Sequence, residues 1–329
     1  MAKQSYYGGQ AVMEGVMMRG RQDMAVAVRT PTGEIAVFHQ RLEPGDWVRR
    51  LRPMPLLRGV FLLWDTMLLG MRALVFSANV GLAEEDDPAA TAVPAGPLSG
   101  VALWGTVAVS ILFSIGLFFV APLAVVGLLD SHIQSSIVSN LVEGGIRLGI
   151  LLGYLGALGH LRDIRRVFGY HGAEHKTINA WEAGDPLDVP HVRAHSISHP
   201  RCGTGFLLVV VLLSVLVFAF LGRPPFALRI LSRIVLVPLI AALAYEFIKW
   251  TAAHLSNPVV RALIAPSLAL QRLTTREPDD EMLEAAIASF KRVLVAEGTL
   301  DAGEFFCSGI VAVDESGRLL QPAVASAPV

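Results

Sequence analysis

The segment His171-Gly172-Ala173-Glu174-His175-Lys176 holds the residue types most able to do chemistry. On a helix, 100° per residue sets His171 and His175 one turn apart, and Glu182 falls within about 40° of both. Two imidazoles so spaced can grip one metal ion, with the Glu182 carboxylate as a further ligand. His-x-x-Glu-His is also the spacing of inverzincins, in which the histidines bind zinc and the glutamate is the general base. Glu174 would then accept a proton from a water that the metal activates. The plainer reading is a polar helix at a membrane surface with these groups solvated.

A second cluster, His199-Pro200-Arg201-Cys202-Gly203-Thr204-Gly205, follows within the same loop. His199 or Cys202 would add a ligand, and a His, carboxylate and thiolate set suits zinc among the divalent metals. The alternative is a glycine-rich helix entry with a buried free thiol. His191 and His195 read as bystanders. Three further residues are candidates. In the run from Gly8 to Gly20, glycines bracket an apolar strand containing Glu14 and ending in Arg19. Glu14 would complete a metal shell or bind a substrate amine, and Arg19 would clamp an anion. From physics alone a turn-flanked strand is favoured there. Glu246 lies in an apolar run, where ionisable groups are functional candidates; pairing with Lys249 is the ordinary alternative.

The elements that must hold these residues are mostly apolar. Of 329 residues, 53% are hydrophobic and 17% charged, well below the charge content of soluble domains. A net charge of −1 gives no electrostatic case for nucleic acid as a partner. Two cysteines are too few for a disulfide framework. The N-terminus lacks the apolar core of a signal peptide, so internal helices are expected to direct insertion.

The expected fold is an α-helical polytopic membrane protein of four, or five, spans, with the lipid bilayer as its partner and homo-oligomer formation left open. Residues 1–55 read as a small β-containing unit with a hairpin around Pro31-Thr32-Gly33. Residues 56–82 form an amphipathic or membrane helix, in which Arg58, Asp65, Arg72 and Asn79 recur every seven residues along one stripe. Residues 98–160 make a first transmembrane hairpin, with Glu143 and Arg147 able to pair on one face and Pro122 kinking or ending the first span. Residues 161–204 form a polar segment, 205–250 a second hairpin, and 251–329 an amphipathic helix over about Asp279 to Glu297, followed by a tail. The basic residues of 161–204 place that segment, and with four spans both termini, in the cytoplasm. A last hairpin is expected around Glu315-Ser316-Gly317.

The run Gly8 to Gly20, the segment His171 to Lys176 and the cluster His199 to Thr204, joined by Arg58-Gly59 and Ser77-Ala78-Asn79, resemble the YqhQ-like family of bacterial membrane proteins of unknown function. The resemblance covers most of the chain, from Gly8 to about Val295. It implies a multi-pass protein of the bacterial inner membrane with a metal site, and supplies no substrate. The expected activity is metal-assisted hydrolysis at the cytoplasmic membrane face. A scaffold or assembly factor with a structural metal site, or a small transporter, are the alternatives.

Overall fold

Residues 8–41 build four antiparallel strands: β1 (Gly8–Val12), β2 (Gly15–Arg19), β3 (Asp23–Arg29) and β4 (Ile35–Arg41). A short β5 (Ile310–Ala312) adds parallel to β4, giving the order β1-β2-β3-β4-β5. This computed structural model describes residues 7–42, 54, 57–82, 101–222, 224–301, 303, 305 and 310–313. Arg49, Arg50, Arg52, the segment around Glu315-Ser316-Gly317 and the tail lie outside the described residues.

The hairpin around Pro31-Thr32-Gly33 forms, with Gly33 at φ 92° and its N–H donating to the Thr30 carbonyl. The glycine-bracketed run is not one strand. It folds back at Met13-Glu14, and Glu14 sits at φ 51°. Tertiary contacts hold that uncommon conformation. The Arg29 N–H donates to the Glu14 carbonyl, and Arg166 grips the Glu14 carboxylate.

Both sheet faces are covered, so the strands read as nearly continuous apolar runs instead of alternating ones. Met17, Met24, Val26 and Val28 face helix α1 (Leu57–Leu82), meeting its Leu69, Ala73, Phe76 and Val80. Val16, Met18 and Ala25 face the opposite way, onto helices α5 (Arg162–Ala183) and α10 (Asp280–Ala296). Helix α10 starts where Asp279 caps the Met282 N–H and ends before Gly298 at φ 68°. Its fully buried Leu283, Phe290 and Leu294 each contribute about 1.5–3 kcal/mol of burial.

The apolar part comprises α2 (Val101–Ile115), a π-helical turn (Gly116–Val120), α3 (Ala121–Leu129), α4 (Ser136–Leu158), α7 (Gly203–Ala219) and α8 (Phe226–Ala253). Among the described residues, four helices are long and apolar enough to cross a membrane: Arg58–Gly81, Trp104–Leu129, Ser136–Leu158 and Ala227–Ala253. Gly203–Ala219 is apolar but shorter. Large apolar side chains such as Trp104, Leu112, Leu128 and Phe220 point outward, which suits contact with lipid. Pro122 does not end the segment Trp104–Leu129: it sits in the first turn of α3, directly after the π-helical turn. Having no N–H, Pro122 leaves the Phe118 carbonyl without its helical donor, and Arg147 Nε fills that place at 2.9 Å.

Two helices complete the chain, α6 (Val189–Arg193) and α9 (Pro258–Thr274). The sequence reading gave α9 no element. Its start signals are Asn257, which accepts from the Val259 N–H, and Pro258 in the first turn.

Candidate functional site

Helix α5 carries the first motif, and its geometry follows from two glycines. A Cβ on Gly172 would stand 2.1 Å from the Arg276 carbonyl, so only glycine lets the chain after α9 lie against this turn. The Arg276 N–H then donates to the Phe168 carbonyl, and the Thr274 carbonyl reaches His171 Nδ1 at 2.9 Å. On the other side, a Cβ on Gly9 would stand 2.9 Å from Glu174 Cγ and 2.6 Å from the Met17 carbonyl. Glycine there brings β1 against the Glu174 carboxyl.

The polar side of α5 also holds the loop that leads to the second motif. Lys176 Nζ donates to the carbonyls of Arg193 and His195 at 2.7 Å each, and to Glu277. Asn179 donates to the carbonyls of Ser196 and Ser198. His175 Nδ1 lies 2.7 Å from the Ile197 carbonyl. Gln271 on α9 meets both backbone groups of His199: the His199 N–H donates to Oε1 at 2.9 Å, and Nε2 donates to the His199 carbonyl at 2.8 Å. The Cys202 N–H in turn donates to the His199 carbonyl. Cys202 is thereby fixed at the start of α7, where its Sγ accepts from the Thr204 N–H and lies 3.2 Å from His171 Nε2.

His171, His175 and Cys202 converge, each offering a ligand atom within 4.8 Å of the others. The two imidazole rings are 4.4 Å apart between centroids. Because a carbonyl can only accept, each Nδ1 carries a proton, and in the neutral ring this leaves the lone pair on Nε2. That is how metal-binding histidines are ordinarily oriented. A tetrahedral zinc with bonds of about 2.0–2.3 Å would separate its ligand atoms by roughly 3.3–3.6 Å. The donor set therefore fits such a metal with small side-chain adjustments.

The three residues line a cavity of about 80 Å³ together with Tyr7, Gly8, Gly9, Glu174, Ile178, His199, Arg201 and Gly203. Glu174 is buried, and burial pushes its carboxyl above the usual range; the neighbouring His171 and a hydrogen bond from the Gly9 backbone pull the other way. An acid able to hold or release a proton thus sits beside the three donors.

Other expected site residues lie elsewhere or are otherwise engaged. Glu182 shares the helical stripe but ion-pairs with Arg201, with His199 Nε2 at 3.5 Å. Burial opposes its charge, yet hydrogen bonds from His199 and Arg201 hold its carboxyl below the ordinary range. His199 lies 5.8 Å from His175 between ring centroids, and burial lowers its pKa. Its Nδ1 accepts from the Arg201 N–H, so neither ring nitrogen is turned to the cluster. Glu14 is engaged within the protein: Arg166 grips it, Tyr170 donates to it, and its carboxyl is held below the usual range, chiefly by the Arg166 hydrogen bond. Arg19 pairs with Asp65 of α1. Glu246 pairs with Arg58 of α1, not Lys249, since α1 packs on α8 with Gly59 close to Ala242 and Tyr245. Sequence reasoning missed Gln271 and Thr274, whose roles depend on α9. The glycines at 9 and 172 were visible as motif residues, but what they admit was not.

Fold and site together define a class: apolar helices capped by a layered α/β/α unit, with a largely buried His, His, Cys cluster where the two meet. A family model described as "Protein of unknown function (DUF1385)" matches residues 54–296, and the chain belongs to that family. The "Uncharacterized protein YqhQ" of Bacillus subtilis (strain 168) is 33% identical over 296 residues, which covers 88% of this chain and 93% of the relative. No solved structure matches.

Proposed function

We propose that this is a multi-pass membrane protein whose His171, His175 and Cys202 bind a divalent metal, zinc by preference, for hydrolysis at the cytoplasmic membrane face. The observation that carries this reading is the convergence of three donors from two separated motifs beside a buried acid. Three protein ligands leave a fourth position, the pattern of catalytic and not structural zinc sites. A zinc ion held by these three residues would supply Lewis acidity and lower the pKa of a water. The chain's own residues do the rest. The Thr274 and Ile197 carbonyls orient the imidazoles, and Glu174 takes or returns a proton within the cavity.

Topology supports the membrane part. The sheet precedes α1 and α5 packs on it, so both belong on one side. Between α1 and α5 the chain passes through α2–α3 and α4, one crossing each way. The second half of α1 is committed to the sheet, and Asp65 already meets Arg19 there. Helix α1 therefore joins the bundle to the sheet without crossing. Helices α7 and α8 make the second pair, and both termini stay on the cytoplasmic side with the basic segment 161–204. Although only 17 residues long, α7 suffices when flanked by further apolar chain to Leu221.

The test is metal analysis of full-length protein in detergent, beside His171→Ala and His175→Ala. About one metal per chain, lost in both variants, supports the site. Equal and substoichiometric metal in all three removes it. A structural metal site is the second reading, favoured by a cavity of only about 80 Å³. It wins if Glu174→Gln leaves cellular function intact while His175→Ala unfolds the protein.

A further inference from the structure

Away from the metal cluster, the bundle interior holds a second concentration of charge. Glu143 and Arg147 pair on α4 as their spacing suggests, with Arg147 Nη2 at 2.6 Å from Glu143 Oε1. Arg233 of α8 joins them, donating from Nη2 to Glu143 Oε2 at 2.8 Å and to Asn140 Oδ1 at 3.1 Å. All four are at most 3% exposed. One turn earlier on α8, Arg229 Nη1 reaches Asp130 at 3.1 Å, and Asp130 also accepts from Ser139 at 2.5 Å.

Three guanidinium groups thus face two carboxylates among the described residues of this region, and one positive charge is left over. The Phe218 ring, 4.3 Å from the Arg233 guanidinium carbon and 5.6 Å from that of Arg147, offsets part of it. It does not serve Arg229, whose Nε is buried with no hydrogen-bond partner while the residue is 8% exposed. Buried donors are seldom left so, and charges inside a bilayer are nearly always paired. Asn140 Nδ2 donates to the Gly222 carbonyl of the α7–α8 turn, so the cluster lies towards the bundle end opposite the sheet. At 1.5 Å per residue, Arg229 is only about 5 Å into α8, within reach of lipid phosphates.

We propose that Arg229, backed by the surplus charge of Arg233 and Arg147, binds a phosphate oxyanion at this end of the bundle, supplied by an anionic phospholipid headgroup. Guanidinium groups suit this ligand because their fixed N–H fork matches two phosphate oxygens. The site requires the helices to cross the bilayer and is independent of any metal at Cys202.

The experiment uses full-length protein in nanodiscs of phosphatidylcholine, alone or mixed with phosphatidylglycerol. Retained lipid is read by native mass spectrometry and cooperativity by thermal unfolding. Wild type should retain phosphatidylglycerol over phosphatidylcholine by on the order of tenfold, as for a charge-assisted contact. Arg229→Gln should lose that preference, and Arg229→Lys, which keeps the charge without the fork, should keep only part of it. Displacement of the lipid by inorganic phosphate would show that free phosphate shares the site. No preference in wild type, or an undiminished one in folded Arg229→Gln, overturns the proposal. Should Arg229→Gln fail to fold, the wild-type preference and the Arg229→Lys result decide it.

Discussion

Replacing Gln271 by alanine tests whether the convergence of the two motifs is held from outside the ligand set. Gln271 is 1% exposed, and both ends of its amide are committed to the His199 backbone. The substitution removes two hydrogen bonds, each worth about 0.5–1.5 kcal/mol net, and leaves a buried N–H short of its partner at about 1–3 kcal/mol. The His199 carbonyl keeps the Cys202 N–H as a donor, so the loss should settle near 2–4 kcal/mol. It falls on the closed position of the loop that presents Cys202, while His171 and His175 stay anchored by Thr274 and Ile197. Metal affinity should therefore drop by about 10–100-fold, as for other residues that orient ligands. Titration of full-length protein with cobalt(II) reads this directly, because the thiolate-to-cobalt absorption reports the Cys202 bond separately from total metal. Gln271→Glu, which keeps the acceptor and loses the donor, should fall between the two. Wild-type affinity and an unchanged thiolate band in Gln271→Ala would refute the reasoning.

Two other perturbations have outcomes set by the packing. Gly172→Ala meets the Arg276 carbonyl, a backbone atom that cannot swing aside, whereas Gly70→Ala meets only the flexible end of Gln10. The first should lower stability by about 1–3 kcal/mol or more, and the second much less, in parallel thermal unfolding. Glu14 is a carboxyl whose folded pKa is lowered chiefly by its hydrogen bond to Arg166, so it stabilises above the unfolded value of roughly 4.3. That contribution is lost as pH falls through the folded pKa. Since both side chains are over 40% exposed, screening limits it to about 0.5 kcal/mol. Wild type should therefore lose slightly more stability than Glu14→Gln between neutral pH and about pH 3, and a larger loss in Glu14→Gln would contradict the assignment.

Several elements are legible without coordinates because their cause is local. Runs of uncharged apolar residues mark the bundle helices, since their length and composition are those of helices able to cross a membrane. The helical rise alone aligns His171 with His175, and Asp279 with Gly298 brackets α10. The Glu143–Arg147 pair likewise follows from four-residue spacing.

What stayed hidden depends on groups distant in sequence. Periodicity put Glu182 on the histidine ridge, but it could not anticipate that Arg201 would arrive to neutralise it. Charge spacing set Lys249 beside Glu246, yet helix packing supplied Arg58, 188 residues away. The seven-residue stripe on α1 left an amphipathic and a membrane helix both open, and it gave no sign that Leu69, Ala73, Phe76 and Val80 would pack on the sheet. Spacing rules describe one helix at a time, and so they fix which side chains share a face. Which charge meets which partner, and whether Cys202 reaches His171 across 31 residues, is decided by backbone contacts that only glycines at 9 and 172 and a helix at 258–274 permit.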